Sequence, residues 1–239
     1  TTTNPKVSVK FRPWKALMFR GSYNTAFRVP TFNQIFNGQT SSVYTGADLA
    51  DPAKCPGGVP NPAVPGCQTV TPNIINGGKL NLGPETAQEG SAGVVFEPSR
   101  HFSASVDWWY INRQNTIQIL TLRQLINNFS LFTDRFIRDS SNTLIASAQP
   151  YANAGETRTQ GLEVSLRGNV EALGGQFAAG LDGTYLLKKN EKIVTGAPVI
   201  NQLGVFTLSG DLGLRWKHNA FVSYSTDNWS ATLSQIFRS

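Results

Sequence analysis

Few side chains in this sequence could do covalent chemistry. Cys55 and Cys67 bracket the run CPGGVPNPAVPGC. Two cysteines in one Pro- and Gly-rich loop point to a local disulfide in an oxidising compartment. A metal site would need further ligands, and neither histidine is near in sequence. His101 and His218 each fall on a predicted strand beside a turn. A hydrolase needs nucleophile, base and orienting acid within hydrogen-bond reach. His101 and Asp107 would lie along one strand, too far apart to bond. No GxSxG, HExxH or phosphate-loop spacing occurs. The reading is therefore no enzyme, no cofactor and no metal. The net charge is +6, but the basic residues are scattered rather than set in a patch with aromatics. That argues against nucleic acid as a partner.

The stretch from Leu82 to Arg113 shows what must position the polar residues. Ala92, Val94 and Phe96 alternate with Glu89, Ser91 and Gly93. After a turn at Glu97–Arg100, Phe102, Ala104, Val106, Trp108 and Tyr110 alternate with Ser103, Ser105, Asp107 and Arg113. Period 2 marks strands with one apolar and one polar face. Runs of ten or so residues are long for a soluble strand and suit a strand tilted across a bilayer. Trp108, Trp109 and Tyr110 would then sit at a membrane interface. The same hairpin could belong to a soluble β-sandwich.

The pattern repeats along the chain. Lys6–Arg12 and Lys15–Phe27 alternate around a turn at Pro13-Trp14. Thr157–Asn169 and Gln176–Lys188 alternate around a turn near 170–175, and Arg215–Ser225 pairs with the final run across Thr226-Asp227. That gives eight strands in four hairpins. The turns within hairpins are short. The links between them are long, about 28–82, 116–156 and 189–213. Within the second link, Leu122, Leu125, Ile126 and Phe129 have helical spacing, which predicts a short helix over Thr121–Phe129. Short turns on one side and long loops on the other is the asymmetry of outer-membrane barrels. With only 40% hydrophobic residues and no apolar run near ~18 residues, a helical membrane protein is excluded.

Three segments resemble those of TonB-dependent outer-membrane receptors. GSYNTAFRVPT, from Gly21 to Thr31, is similar to the family's "S-x-x-x-x-F-R-x-P-[ST]" segment and includes Phe27, Arg28 and Pro30. GKLNLGPET, from Gly78 to Thr86, is similar to "G-N-x-x-L-x-P-E-[ST]" and includes Pro84 and Glu85, with Lys79 where Asn is usual. Tyr151–Glu163 resembles "N-x-x-x-x-x-x-G-x-E" and ends on Gly161 and Glu163. The run Arg215-Trp216-Lys217-His218 also looks like members of this family. The resemblance implies an all-β antiparallel transmembrane barrel of 22 strands around an N-terminal plug. Residues 1–239 would supply about eight of them, without plug, TonB box or terminal strand. It also implies the outer membrane of a Gram-negative bacterium and import of a scarce nutrient, most readily a ferric siderophore, with energy from TonB. The implied partners are outer-membrane lipid and lipopolysaccharide, the protein's own plug, TonB and the ligand. A passive or adhesive barrel without a plug, or a soluble β-sandwich binding module, are the alternatives.

Within that frame, Pro84 fixes φ where a loop meets a strand, and Pro30 ends one. Arg28 could pair with a plug acid or with Glu85. Glu163 would face the lumen, solvated or paired with Arg167. Inward Lys6, Lys10, Arg12, Arg20, Arg113, Arg167 and Lys188 would give the wall a basic bias. Ligand contact is expected on the loops, at Phe36, Tyr44, Arg123, Arg135, Phe136 and Arg138, since aromatic and guanidinium groups suit large planar or anionic ligands.

Overall fold

The computed structural model describes residues 3–205 and 213–239. Eight strands form the wall. They are β1 (Lys6–Trp14), β2 (Leu17–Arg28), β3 (Glu85–Ser99), β4 (Phe102–Gln114), β5 (Glu156–Ala172), β6 (Gly175–Lys192), β7 (Trp216–Ser225) and β8 (Ser230–Arg238). Each pairs antiparallel with the next, so the sheet order follows the chain. This is a meander, a segment of a transmembrane barrel. No second sheet lies across its apolar face among the described residues, so the sandwich alternative fails.

The first two hairpin turns fall slightly beyond the expected positions, and the last two fall where they were expected. The first lies at Lys15-Ala16, the second at Arg100-His101 and the third at Leu173-Gly174. The fourth spans 226–229. Leu173 and Gly174 both have positive φ, 54° and 74°, as a two-residue hairpin matching the strand twist requires. Asparagine and glycine are the residues that take such angles cheaply, and Leu173 has no such excuse.

The register lines one apolar row across all eight strands: Phe11, Phe19, Val94, Val106, Val164, Gly183, His218 and Phe237. Most of these side chains are open: Phe11 is 60% exposed and Val106 47%. Aromatics gather at two heights on this face. Tyr23, Trp108, Tyr110, Tyr185 and Trp216 form the upper belt; Trp14, Phe177, Tyr224 and Trp229 form the lower. From Trp216 to Tyr224 is about 27 Å along a strand, or about 20 Å of height at a tilt of about 40°. An apolar band between aromatic girdles is the outer surface of a membrane barrel. No helix is long and apolar enough to cross a membrane.

Trp109 does not join the belt. It points inward and lies over Gly161, where an added Cβ would come within 2.6 Å of its ring. Neighbours on a strand face opposite ways, so a Trp-Trp pair cannot share one interface. Lys188 is also displaced from its expected face. The register runs Gly161 to Leu186 and then Gln160 to Lys188, leaving Leu187 as an extra residue. This bulge reverses the alternation and puts Lys188 on the outer face opposite Gln160.

The buried core lies above the wall rather than in it. Residues 29–84, 115–155 and the start of the third loop fold together. Leu49, Leu120, Leu125, Ile126, Phe132, Phe136, Leu144, Ile193 and Ala197 form one cluster. Leu49 and Leu125 are each 1% exposed. A four-stranded sheet joins the loops, with Asn73–Gly77 parallel to Leu144–Pro150 and with Thr40–Val43 and Phe136–Arg138 at its edges. The expected helix is present as α2 (Leu122–Asn127). Its N-cap Thr121 and Gln124 form a capping box, and Leu125 and Ile126 face the core. A helix not expected from spacing, α1 (Phe32–Phe36), carries the same device in Thr31 and Gln34. The end of the third loop, 206–212, lies outside the described residues.

Candidate functional site

The rim where loops leave the wall is built from the motif residues. Arg28 ends β2 and Glu85 begins β3, directly opposite in register. The Arg28 guanidinium donates twice to the Glu85 carboxylate, at 2.9 and 2.6 Å. Glu85 also accepts the Ile117 N–H at 2.6 Å, so one buried carboxylate ties two strand ends to the second loop. Asn153 performs the same task with an amide. Its Nδ2 donates to the Gly83 and Asn115 carbonyls, and its Oδ1 accepts the Gly83 N–H at 2.7 Å. Pro84, lying between them, has no N–H to leave unpaired. The motif residues therefore fix the loop bases to the rim.

Above the rim, the first loop is held by the disulfide between Cys55 and Cys67. Both cysteines are buried against Ala50. Next to them lies Asp51, 3% exposed, whose two oxygens accept from Arg138 at 2.5 and 2.7 Å. Burial pushes the Asp51 carboxyl up, but the bidentate Arg138, the Ala53 N–H and nearby Lys54 together hold it below the usual range. Asp51 comes from the first loop and Arg138 from the second, so this pair fastens them together.

The six loop residues expected to touch ligand separate into two groups. Phe136 is buried and packs edge-on against Phe129 at 5.1 Å, and Arg138 is committed to Asp51. These two support the cap from within. Tyr44 and Arg123 meet at its surface on either side of Asp48. The Tyr44 hydroxyl donates at 2.5 Å and Arg123 Nη2 at 3.2 Å. The Tyr44 hydrogen bond, more than the Arg123 charge, holds Asp48 below the usual carboxylate range. Phe36 is exposed and stacks near Phe32, with ring centroids 4.8 Å apart. Arg135 is half-buried beside Asp134 at 3.6 Å. Sequence spacing gave no sign of the Asp51 pair or of Arg123 beside Asp48, because Arg138 and Arg123 lie 87 and 75 residues away from those carboxylates.

The inner face of the wall carries a charged row: Lys10, Arg20, Gly93, Asp107, Glu163, Thr184, Lys217 and Arg238. Arg20 reaches across Gly93 to Asp107, with bonds of 2.7 and 2.5 Å. Glu163 sits beside Asp107, and both line a cavity of about 500 Å³. Arg167 pairs with Asp182 on β6, not with Glu163. Residues four apart on one strand are about 13 Å apart, whereas cross-strand neighbours are about 5 Å apart. Arg12 lies 3.6 Å from Glu97. The basic bias expected of this face is thus offset by carboxylates that include Asp107, Glu163 and Asp182, and Lys188 does not belong to it.

No group of three or more His, Cys, Asp or Glu suited to a metal ion occurs among the described residues.

The sequence model described as "TonB dependent receptor-like, beta-barrel" matches residues 1–238. No match was found among curated proteins. Among solved structures, the siderophore receptor PirA from Acinetobacter baumannii matches at a TM-score of 0.58 and 13% identity, over 97% of this chain and 28% of that one. A mutant of the ferric enterobactin receptor PfeA from Pseudomonas aeruginosa, in complex with enterobactin, matches at 0.61 and 14%, over 98% and 28%. The chain therefore spans a little over a quarter of the length of these receptors, and at such identities the likeness is one of fold. With the model matched across almost its whole length, the chain belongs to the TonB-dependent receptor family, as part of its β-barrel.

Proposed function

We propose that this chain supplies part of the wall and outer vestibule of an outer-membrane transporter, one that binds a ferric siderophore and imports it with energy from TonB. The carrying observation is the cap. Two long loops from adjacent hairpins fold into one body over the rim of a family barrel, and Phe36 and Arg123 lie on its exposed surface beside the half-buried Tyr44. Loops on a rigid scaffold are where selectivity usually resides. Aromatic rings and a guanidinium suit a large, anionic metal chelate. Phe136 and Arg138 support that surface from below. The inner charged row, centred on Asp107 and Glu163, suits contact with a plug carried elsewhere in the whole protein. The chemistry is binding and release, with no covalent bond made or broken. Residues 1–239 act as a partial barrel domain in this reading.

Uptake of a labelled ferric-siderophore panel, in cells expressing the whole receptor with and without TonB, tests it. One ligand should accumulate only when TonB is present. Equal entry in both strains would show a passive channel, and the plug-free alternative would replace this reading.

A further inference from the structure

One acid at the surface of the cap is held by two of the residues proposed above to face the ligand. Asp48 Oδ1 accepts the Tyr44 hydroxyl at 2.5 Å, and Asp48 Oδ2 accepts Arg123 Nη2 at 3.2 Å. Arg123 Nη1 also donates to the Gly57 carbonyl at 3.5 Å. An added Cβ at Gly46 would fall 2.5 Å from Tyr44 Oη and 2.7 Å from Asp48 Oδ1, so the bare backbone there lets the phenol fold back onto the carboxylate. One carboxylate thus occupies a phenol and a guanidinium at once, with an oxygen for each.

The donors are anchored and the acceptor is not. Tyr44 packs against the cap core and donates its backbone N–H to the Pro72 carbonyl at 2.9 Å. Arg123 stands on α2, which Leu125 and Ile126 fix in the same core. The Asp48 side chain is 68% exposed, against 5% for Asp51. An ion pair as exposed as this adds little to stability. The loops are fastened by Asp51 and Arg138, so Asp48 is not needed for that task. Leu49, which is buried, holds the backbone beside Asp48. Rotation about the Asp48 Cα–Cβ bond therefore carries the carboxylate into solvent and leaves both donors where they stand.

A phenol and a guanidinium aimed at two oxygens of one anion suit a carboxylate or a catecholate, each of which carries two adjacent anionic oxygens. We propose that Asp48 stands in for the ligand: it occupies the Tyr44–Arg123 pair in the free receptor, and a ligand with two adjacent anionic oxygens displaces it. Asp48 is thereby a specificity residue that works by competition. A weak anion does not outbid a carboxylate tethered beside the pair, and a neutral ligand finds no free cation there. This role rests on the reading above, that Tyr44 and Arg123 face the ligand, and not on import or TonB.

The test measures equilibrium binding to the whole receptor purified in detergent. The probes are an anionic tris-catecholate ferric chelate, a neutral tris-hydroxamate ferric chelate, and iron-free dihydroxybenzoate, which carries the adjacent oxygens alone. Asp48→Ala should bind the tris-catecholate chelate and dihydroxybenzoate about tenfold more tightly than the parent does, and the neutral chelate equally well. In the background Tyr44→Phe/Arg123→Gln, adding Asp48→Ala should bring no gain, because the pair for which the carboxylate competes is gone. Weaker anion binding by Asp48→Ala would make Asp48 a direct ligand contact, and unchanged binding would make it a plain surface charge; either overturns the proposal. So does a gain that persists without the two donors, since that would be the loss of one negative charge and nothing more. Should Asp48→Ala fail to fold, Asp48→Asn removes the charge with the shape kept and reads the same comparison. Tighter dihydroxybenzoate binding by Asp48→Ala with no binding of either chelate would uphold the stand-in and reject a ferric siderophore as cargo. TonB-dependent uptake of an anionic chelate whose binding ignores Asp48 would do the reverse.

Discussion

Glycine in this wall makes room for a neighbour's side chain. At Gly93 an added Cβ would fall 1.9 Å from Asp107 Oδ1, inside the path by which Arg20 reaches that carboxylate. At Gly90, three residues earlier on β3 and on the opposite face, the nearest atom would be 3.9 Å away. Gly93→Ala is therefore expected to destabilise the barrel by about 1–2 kcal/mol, chiefly through overlap. Arg20 is half-exposed, so the ion pair itself contributes little. Gly90→Ala should be nearly neutral. Urea titration of the refolded whole receptor in vesicles reads both, and equal costs would refute the role given to Gly93. Gly161 beneath Trp109 and Gly183 beneath Trp216 follow the same rule on opposite faces.

At the scale of elements, the register decides what each side chain meets. Val164 lies in the lipid-facing row between Val106 and Gly183, and its neighbour Ser165 faces the lumen beside Asp182. Arg in place of Val164 should cost about 2–4 kcal/mol near mid-membrane, and in place of Ser165 far less. The same titration checks this, and matching losses would remove the assigned faces. Which face was apolar could be read from the sequence, because period 2 is a local signal that Leu162, Val164 and Leu166 display unaided. Pairing could not. Arg167 finds Asp182 rather than Glu163 because the strands bring distant residues to about 5 Å, and no local spacing encodes that. The Leu187 bulge had no signal either, since one extra residue leaves the composition of β6 unchanged. For α1, the Thr31 to Gln34 spacing was a legible capping box, hidden by the brevity of the five-residue helix.

At the scale of the molecule, the cap is a small globular unit set on an open wall. Its core draws on three loops, and its fastening is the buried pair of Asp51 and Arg138. The candidate surface, Tyr44 and Arg123 around Asp48, spans the first and second loops, so its geometry depends on that fastening. Deleting Thr121–Phe129 would remove Leu125 and Ile126 from the core, and should loosen the whole cap and weaken ligand binding while the barrel remains in the membrane. Arg138→Ala is the sharper test, since it leaves a buried carboxylate without its partner at a cost of about 3 kcal/mol. The carboxyl of Asp51 titrates below its ordinary 3.8 in the folded cap. Its contribution is therefore complete above about pH 4 and is lost as pH falls through the lower folded value. In the parent, the run between Cys55 and Cys67 should resist an acid-active protease at pH 5 and become cleavable only below the ordinary carboxylate range. In Arg138→Ala it should already be cleavable at pH 5, although the substitution lies in the other loop. Protection unchanged in that variant would show that the two loops are stable separately, and that the ion pair does not hold them as one body.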